Sequence, residues 1–198
     1  LGVILLAIRL VDLLQDPVIG WAIDRWPRAQ AGFALAAALG LAVGFPLLFG
    51  LQPGAQIIPQ LIGCLVLLYT SYSLGSILLY SRSTSLARKS GAAELVVVAT
   101  YREGGALLGV LIAAIAPAGL VALGAGGAGY PAFGMALGLV ALAAALLCRS
   151  IWRRAPVAGQ ALSMAGLAQS GGLRLLVLGL VNGLPVAITS TLFLFFVE

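Results

Sequence analysis

The stretch RLVDLLQDPVIGWAIDRWPR, residues 9–28, decides the fold of this chain. It overlaps an apolar segment from Leu1 to Ile23, yet it holds Arg9, Asp12 and Asp16 at positions i, i+3 and i+7. This spacing puts the three ionisable side chains on one face of a helix. Ionisable groups at membrane depth are costly, and they normally face a protein interior or a water-filled cavity on an ion or substrate path. We therefore expect a membrane-spanning helix whose charged face looks into the protein.

The composition of the whole chain indicates the same class of protein. Of its 198 residues, 62% are hydrophobic and 9% are charged, and the mean hydropathy is +1.12. Such a chain is too apolar for a soluble domain and is typical of an integral membrane protein. The net charge of +5 does not indicate a nucleic-acid partner, because most of the basic residues lie in short polar breaks between apolar segments.

Six apolar segments are long enough to cross a membrane, which takes about 20 residues. They are Leu1 to Ile23, Ala31 to Leu51, Ile57 to Tyr80, Leu95 to Val121, Tyr130 to Cys148, and Leu175 to Val197. Lys and Arg occur in every second connection, whereas the connections near residues 52–56 and 123–129 have neither. By the positive-inside rule we expect the basic connections in the cytoplasm, so that the first segment runs from outside to inside.

Glycine and polar residues predict how these segments are grouped. Gly40 with Gly44, and Gly105 with Gly109, are pairs four residues apart that permit close helix packing. The longest polar segment, residues 149–174, is rich in glycine and predicts a flexible cytoplasmic linker. We expect part of one helical bundle at residues 1–148, the linker at 149–174, and the first helix of a second bundle at 175–198. Because the chain begins without Met inside an apolar segment, we also expect it to be a fragment.

The residues around Pro17 predict a cation site. Pro17 has no N–H, so the carbonyl one turn earlier loses its helical hydrogen bond and is free to accept a cation or a water. Together with the carboxylates of Asp12 and Asp16 and the amide of Gln15, it makes an oxygen-rich pocket suited to a hard monovalent cation. Without a metal ion the two carboxylates would share a proton, because like charges repel strongly at low dielectric. The alternative, a structural ion pair between Arg9 and Asp12, leaves Asp16 without an assigned partner.

Several stretches resemble a known family. GWAIDRWPR at residues 20–28 resembles the loop signature of the major facilitator superfamily, G-x-x-x-D-R followed by further basic residues. RLVDLLQDPVIGW at residues 9–21 resembles the second helix of the glycoside-pentoside-hexuronide:cation symporters, the melibiose permease-like family. TYREGGALLG at residues 100–109 is similar to that family's fifth helix, and Asn182 with TLFLFFVE at residues 191–198 is similar to its seventh. The resemblance implies an all-α membrane bundle in which this chain supplies about helices two to seven of twelve.

The resemblance also implies roles for individual residues. For the coupling cation it implies Asp12, Asp16, Gln15 and the hydroxyl of Ser73. For the solute it implies Arg102, Ser76, Tyr80, Arg9 and Asn182. For a gate at the cytoplasmic end it implies Gly20, Asp24, Arg25 and Arg28. Ser76 and Tyr80 stand where a family member has an aspartate that binds sugar hydroxyls and a tryptophan, so the resemblance leaves open both galactoside specificity and a sugar substrate.

The function implied is secondary active transport, in which Na⁺ or H⁺, or else Li⁺, drives symport of a sugar or other small solute by alternating access. The resemblance further implies a monomer in the inner membrane of a bacterium, surrounded by lipid, with no cofactor beyond the coupling cation. One alternative is a membrane prenyl or phosphatidyl transferase in which Asp12, Asp16 and Asp24 hold Mg²⁺, but no second acidic cluster follows. Another is a transport-inactive relative that serves as a sensor or scaffold.

Overall fold

The computed structural model describes residues 2–54, 56–87, 92–125, 128–153, 172–174, 177–181 and 185. Within these ranges the side chains of residues 2–10, 12, 13, 83–87, 92, 93, 125 and 153 are not described. All regular secondary structure in the described residues is helical. The expectation of an all-α protein is therefore confirmed.

Five long helices and one short helix are described. They are α1 (Gly2–Arg25), α2 (Gln30–Phe49), α3 (Ile57–Ala87), α4 (Ala92–Leu120), α5 (Gly129–Leu147) and α6 (Arg149–Arg153). A short 3₁₀ turn, Pro27–Ala29, joins α1 to α2. A short π-helical segment, Val121–Ala125, follows α4. Within it Gly124 has a φ of 101°, a backbone conformation that favours a residue without a side chain.

Four described segments are long and apolar enough to cross a membrane. They are Pro27–Phe49, Ile57–Arg82, Glu94–Gly124 and Gly129–Leu147. These confirm the second to fifth expected spans. Helix α1, with 24 residues at about 1.5 Å each, is also long enough, although ionisable residues interrupt its apolar sequence. The sixth expected span, residues 175–197, lies mostly outside the described residues.

Helix α2 packs closely on α3 through glycine. A Cβ atom built on Gly44 would lie 2.7 Å from Cδ2 of Leu68, and one built on Gly40 would collide with the hydroxyl of Ser71. At both positions an added side chain would require the facing α3 side chain to move. The predicted close packing at Gly40 and Gly44 is confirmed.

A second glycine pair brings α5 against the other side of α2. A Cβ atom on Gly134 would lie 2.8 Å from the carbonyl oxygen of Phe45, and one on Gly138 would lie 2.7 Å from that of Ala42. This pair has the same spacing as Gly40 and Gly44, but it was not among the predicted pairs. A Cβ atom on Gly105 or Gly109 would meet no described atom within 4 Å, so close packing there is not present among the described residues.

One end of the bundle is closed by a buried apolar cluster of Ile23, Ala34 and Leu78. These residues come from the end of α1, the start of α2 and the last third of α3, and Trp152 of α6 packs against them. The connection after α1 and the segment after α5 therefore lie at the same end. Both are basic connections, as the alternation of charge along the chain requires.

Aromatic residues mark the opposite end of α2. The ring of Phe49 stacks on that of Tyr130 at a centroid distance of 6.2 Å, and it meets the ring of Phe133 edge-on at 5.5 Å. Phe49 ends α2, and the other two rings lie in the first turns of α5. The uncharged connections thus lie away from the basic ones.

Arg82 corrects the expected end of the third span. The expected span ends at Tyr80 and leaves Arg82 in a polar connection, but α3 continues to Ala87 and Arg82 is only 5% exposed. Its Nη2 donates to the carbonyl oxygen of Trp152 at 3.3 Å, and its guanidinium lies 5.9 Å from the centre of the Trp152 ring. Carbonyls at the end of a short helix lack helical partners, so they can accept such a bond. Arg82 therefore ties α3 to α6.

The chain divides into two compact units, Leu1–Val157 and Ala158–Glu198. The first holds α1 to α6. In the second, residues 172–174, 177–181 and 185 are described and are helical. Residues 154–171, most of the predicted linker, lie outside the described residues, so the expected division at 149–174 stays a prediction.

Candidate functional site

Gln15 connects α1 to α3. Its Oε1 accepts a hydrogen bond from Oγ1 of Thr70 at 3.1 Å, across 55 positions of the chain. Both side chains are partly buried. A polar contact between two membrane helices is a means of fixing their relative position, because either group alone would face hydrocarbon.

Two polar atoms, one on Gln15 and one on the next residue of α1, are buried without a described partner. Nε2 of Gln15 and Oδ1 of Asp16 are inaccessible to solvent, and neither has a hydrogen-bond partner among the described atoms. A buried polar atom left unpaired costs about 1–3 kcal/mol, and more if it is charged. An unpaired carboxylate oxygen at this depth fits a group that is neutralised by a proton or a monovalent cation.

The rest of the predicted cation site is described only in part. Asp12 lies on α1 one turn before Asp16, and Arg9 lies two turns before it, but their side chains fall outside the described residues. Helix α1 continues through Pro17, so the i, i+4 spacing of the two aspartates on one face holds for the backbone. Ser73 is half-buried on α3, one turn beyond Thr70.

Thr70 is a residue that the sequence analysis missed. The predicted hydroxyl on this helix was Ser73, whereas the described hydrogen bond to Gln15 comes from Thr70. A signal was present, because residues 69–73 read Tyr-Thr-Ser-Tyr-Ser inside an otherwise apolar segment. Spacing within that run does not say which hydroxyl faces α1.

Two of the predicted solute residues come together between α3 and α4. The guanidinium carbon of Arg102 lies 4.2 Å from the centre of the Tyr80 ring, within the range of a cation–π interaction. Nε and Nη2 of Arg102 both donate to Oε1 of Glu103, at 3.0 and 2.8 Å. Glu103 was not among the predicted residues, and its pairing neutralises the charge of Arg102. Ser76 is half-buried one turn before Tyr80 on α3.

Asn182, the last predicted solute residue, lies outside the described residues. Its position relative to Arg102 and Tyr80 stays a prediction. The same holds for a solute contact by Arg9.

The predicted gate residues lie at the end of α1 and in the turn after it. Asp24, Arg25 and Arg28 are exposed, and none forms an ion pair with another side chain that the structure describes. Trp21 and Trp26 flank Asp24 and Arg25 in the sequence, and their rings meet edge-on with their centroids 5.8 Å apart. Gly20, one turn earlier, has no atom within 4 Å of a built Cβ, so it leaves open space on α1.

The described residues hold no group of three or more His, Cys, Asp or Glu side chains placed to bind a metal ion. A transferase of prenyl or phosphatidyl groups needs clustered carboxylates to bridge a divalent metal to a diphosphate. The described residues therefore offer no geometry in favour of that alternative.

Comparison with known proteins adds a family to this geometry. A family model described as MFS/sugar transport protein matches the chain over residues 1–198. No curated protein and no solved structure matches it. The matched family is one of transporters, and the four apolar spans make the chain an integral membrane protein. The chain therefore belongs to the MFS/sugar transport protein family of the major facilitator superfamily.

Proposed function

We propose that this transporter is a symporter of the glycoside-pentoside-hexuronide:cation type, which couples a monovalent cation to the uptake of a sugar or similar polar solute. The observation that carries the proposal is the buried, unpartnered carboxylate oxygen of Asp16. A buried carboxylate oxygen without a partner costs free energy, and a bound cation would offset that cost. Loading and unloading that charge is how an ion gradient can drive a conformational change.

The cation site comprises Asp16 and Asp12, with Gln15 beside them. The candidate ions are Na⁺, Li⁺ and H⁺, because carboxylate and amide oxygens are ligands for hard monovalent cations and a carboxylate also takes a proton. When the cation is bound to this site, the face of α1 carries less charge. The free-energy cost of moving this face past neighbouring helices is then lower. Without the cation, the uncompensated carboxylates favour water and hold the site open.

The solute site comprises Arg102 and Tyr80, with Ser76 one turn away. Glu103 uses two N–H groups of Arg102, so the remaining N–H groups can donate to a solute hydroxyl. The Tyr80 ring offers an apolar face to the C–H side of a sugar. Because Glu103 balances the charge of Arg102, the site suits a neutral polyhydroxylated solute better than an anion. Arg9 and Asn182 complete the site in this proposal.

The gate comprises Gly20, Asp24, Arg25 and Arg28. Exposed charge pairs contribute about 0.2–1 kcal/mol each, and roughly 1 kcal/mol shifts a balanced two-state equilibrium several-fold. In the outward-facing state these residues pair with a neighbouring helix end and keep the cytoplasmic side closed. Their exposure at the end of α1 leaves them available for this contact.

The first prediction tests the coupling. Asp16→Asn should abolish cation-driven accumulation, because a neutral amide cannot be loaded with a cation or proton, while membrane insertion stays normal. The measurement is uptake into proteoliposomes across a panel of labelled neutral sugars, driven by a Na⁺, Li⁺ or pH gradient. Glu94→Gln, which removes an exposed carboxylate from the first turn of α4, is the matched control and should leave uptake unchanged.

The proposal fails if Asp16→Asn accumulates solute with the same ion dependence as the unchanged protein. It also fails if no solute shows uptake that depends on a Na⁺, Li⁺ or pH gradient. A solute accumulated only as an anion would overturn the proposed neutral substrate class while leaving the coupling intact.

A further inference from the structure

The contact between Thr70 and Gln15 is placed to control the cation site. Gln15 immediately precedes Asp16 on α1, and each of the two side chains has one buried atom without a described partner. On Gln15 that atom is the donor Nε2, and on Asp16 it is the acceptor Oδ1. Thr70 engages the amide oxygen of Gln15, the atom that a cation would use.

A hydroxyl can hold this amide in either of two orientations. A half-turn about the last side-chain bond of Gln15 exchanges its oxygen and nitrogen. The Thr70 hydroxyl donates to the oxygen in one orientation and accepts from the nitrogen in the other, because a hydroxyl is both donor and acceptor. In the first orientation Gln15 offers N–H groups to its surroundings, and in the second it offers an oxygen.

We propose that Thr70 is a positioning residue of the cation site, which holds the amide of Gln15, the residue before Asp16 on α1, and allows it to turn its oxygen to an arriving cation. The inference rests on the proposed cation coupling, and it gives Thr70 a role different from the cation contact that the family resemblance implies for Ser73. Thr70 acts through Gln15 and does not itself need to touch the ion.

The test measures cation binding without a transported solute. A cation that binds only the folded protein adds RT ln(1 + c/Kd) to the free energy of unfolding, where c is the cation concentration, so the unfolding temperature rises with that concentration. The complete protein in detergent is titrated with NaCl or LiCl against choline chloride at constant ionic strength, and separately with pH. The ion that stabilises the unchanged protein but not Asp16→Asn is the coupling ion, and its half-saturating concentration is the readout.

Thr70→Val keeps the shape of the side chain and removes the hydroxyl. We expect it to raise the half-saturating cation concentration about tenfold, which is the scale of one lost hydrogen bond that leaves a buried partner unpaired. Thr70→Ser should restore the value to within about twofold. Thr100→Val is the matched control, because Thr100 is exposed and its described hydrogen bond is to the Val96 carbonyl of its own helix. It should leave cation binding unchanged.

A double-mutant cycle separates positioning from a general loss of structure. If Thr70 acts through Gln15, adding Thr70→Val to Gln15→Leu should cause no further weakening, since the partner is already gone. Equal weakening by Thr70→Val in both backgrounds would overturn the inference. Where Thr70→Val is not recovered as folded protein, Thr70→Ala in the same two backgrounds takes its place with the same expectation.

Failure of the two proposals can be told apart. If no cation stabilises the unchanged protein, or if Asp16→Asn keeps the effect, the proposed coupling falls and the role of Thr70 falls with it. If Asp16→Asn loses the effect while Thr70→Val binds the cation as the unchanged protein does, the role of Thr70 alone falls. A tenfold loss in Ser73→Ala with none in Thr70→Val would return the hydroxyl role to Ser73.

Discussion

At the scale of single residues, the described polar groups within the apolar segments are paired to different degrees. Arg82 is buried and reaches a carbonyl and an aromatic ring, and Arg102 is held by Glu103 and by the Tyr80 ring. One buried atom without a described hydrogen-bond partner occurs on each of four side chains, which are Gln15, Asp16, Gln30 and Arg82. Asp16 is the acidic group among these four, so it is the one whose charge a bound cation would neutralise.

The contact between Arg102 and Tyr80 leads to a prediction for solute binding. Tyr80→Leu removes the ring under the guanidinium, and cation–π contacts at exposed sites contribute about 0.5–1 kcal/mol. We therefore expect the half-saturating solute concentration for uptake to rise about two- to fivefold, with the cation dependence unchanged. Tyr80→Phe keeps the ring and should match the unchanged protein, as should Tyr72→Leu at an exposed tyrosine of the same helix. Equal solute affinity in Tyr80→Leu and Tyr80→Phe would remove Tyr80 from the site.

Sequence reasoning found these residues unevenly. Charged residues in apolar sequence stand out, so Asp16 and Arg102 could be identified from the sequence alone. Thr70 could not, because a threonine among other hydroxyl residues carries no signal of its own. Its role arises from which helix face meets which neighbour, and that depends on packing between segments far apart in the chain. Glu103 does stand out as a charge, but its hydrogen bonds to the adjacent Arg102 depend on side-chain conformation, which the sequence does not show.

At the scale of helices, glycine pairs set the distances between α2 and its neighbours. The spacing of four residues identified Gly40 and Gly44 correctly, but the same spacing at Gly105 and Gly109 faces open space among the described residues. The pair on α5, Gly134 and Gly138, lies against backbone atoms of α2. The spacing predicts that a helix can approach closely, but it does not say which helix does.

Gly138 gives the element-scale prediction. A methyl group there would lie 2.7 Å from the carbonyl oxygen of Ala42, a backbone atom that cannot move without separating α2 from α5. Overpacking of this kind costs about 1–3 kcal/mol, so Gly138→Ala should lower the unfolding temperature measured in detergent by several degrees. Gly32→Ala on α2 meets no atom within 4 Å, and it should leave that temperature equal or slightly higher because alanine favours helix. An unchanged unfolding temperature in Gly138→Ala would contradict this packing.

Helix ends were harder to predict than helix existence. The polar run Ser-Arg-Ser at residues 81–83 was interpreted as the start of a connection, since polar residues usually mark a membrane boundary. In the structure α3 continues, because the Arg82 guanidinium is shielded by α6 and bonds to the Trp152 carbonyl. A buried arginine with a distant partner cannot be distinguished from an exposed one by composition alone.

At the scale of the whole molecule, the alternation of basic and uncharged connections agrees with the way the helices are assembled. The connection after α1 and the segment after α5 meet at the Ile23, Ala34 and Leu78 cluster, while Phe49 and Tyr130 meet at the other end of α2. The charge pattern alone predicted this grouping, because it depends on chain direction and not on packing detail. Which end faces the cytoplasm follows from the positive-inside rule and stays a prediction.

Cysteine labelling tests that orientation. Gln52 lies in the uncharged connection after α2 and Ser150 in the basic segment after α5, and both are exposed. In intact cells, with Cys64 and Cys148 replaced by serine, an impermeant thiol reagent should modify Gln52→Cys at once and Ser150→Cys only after permeabilisation. Ser150 is a better inner probe than Arg82, because Arg82 is buried against Trp152. The opposite labelling pattern would place the exposed charges of Asp24, Arg25 and Arg28 outside the cell, where they could not form a cytoplasmic gate. It would also reverse the direction in which Asp16 meets the ion gradient.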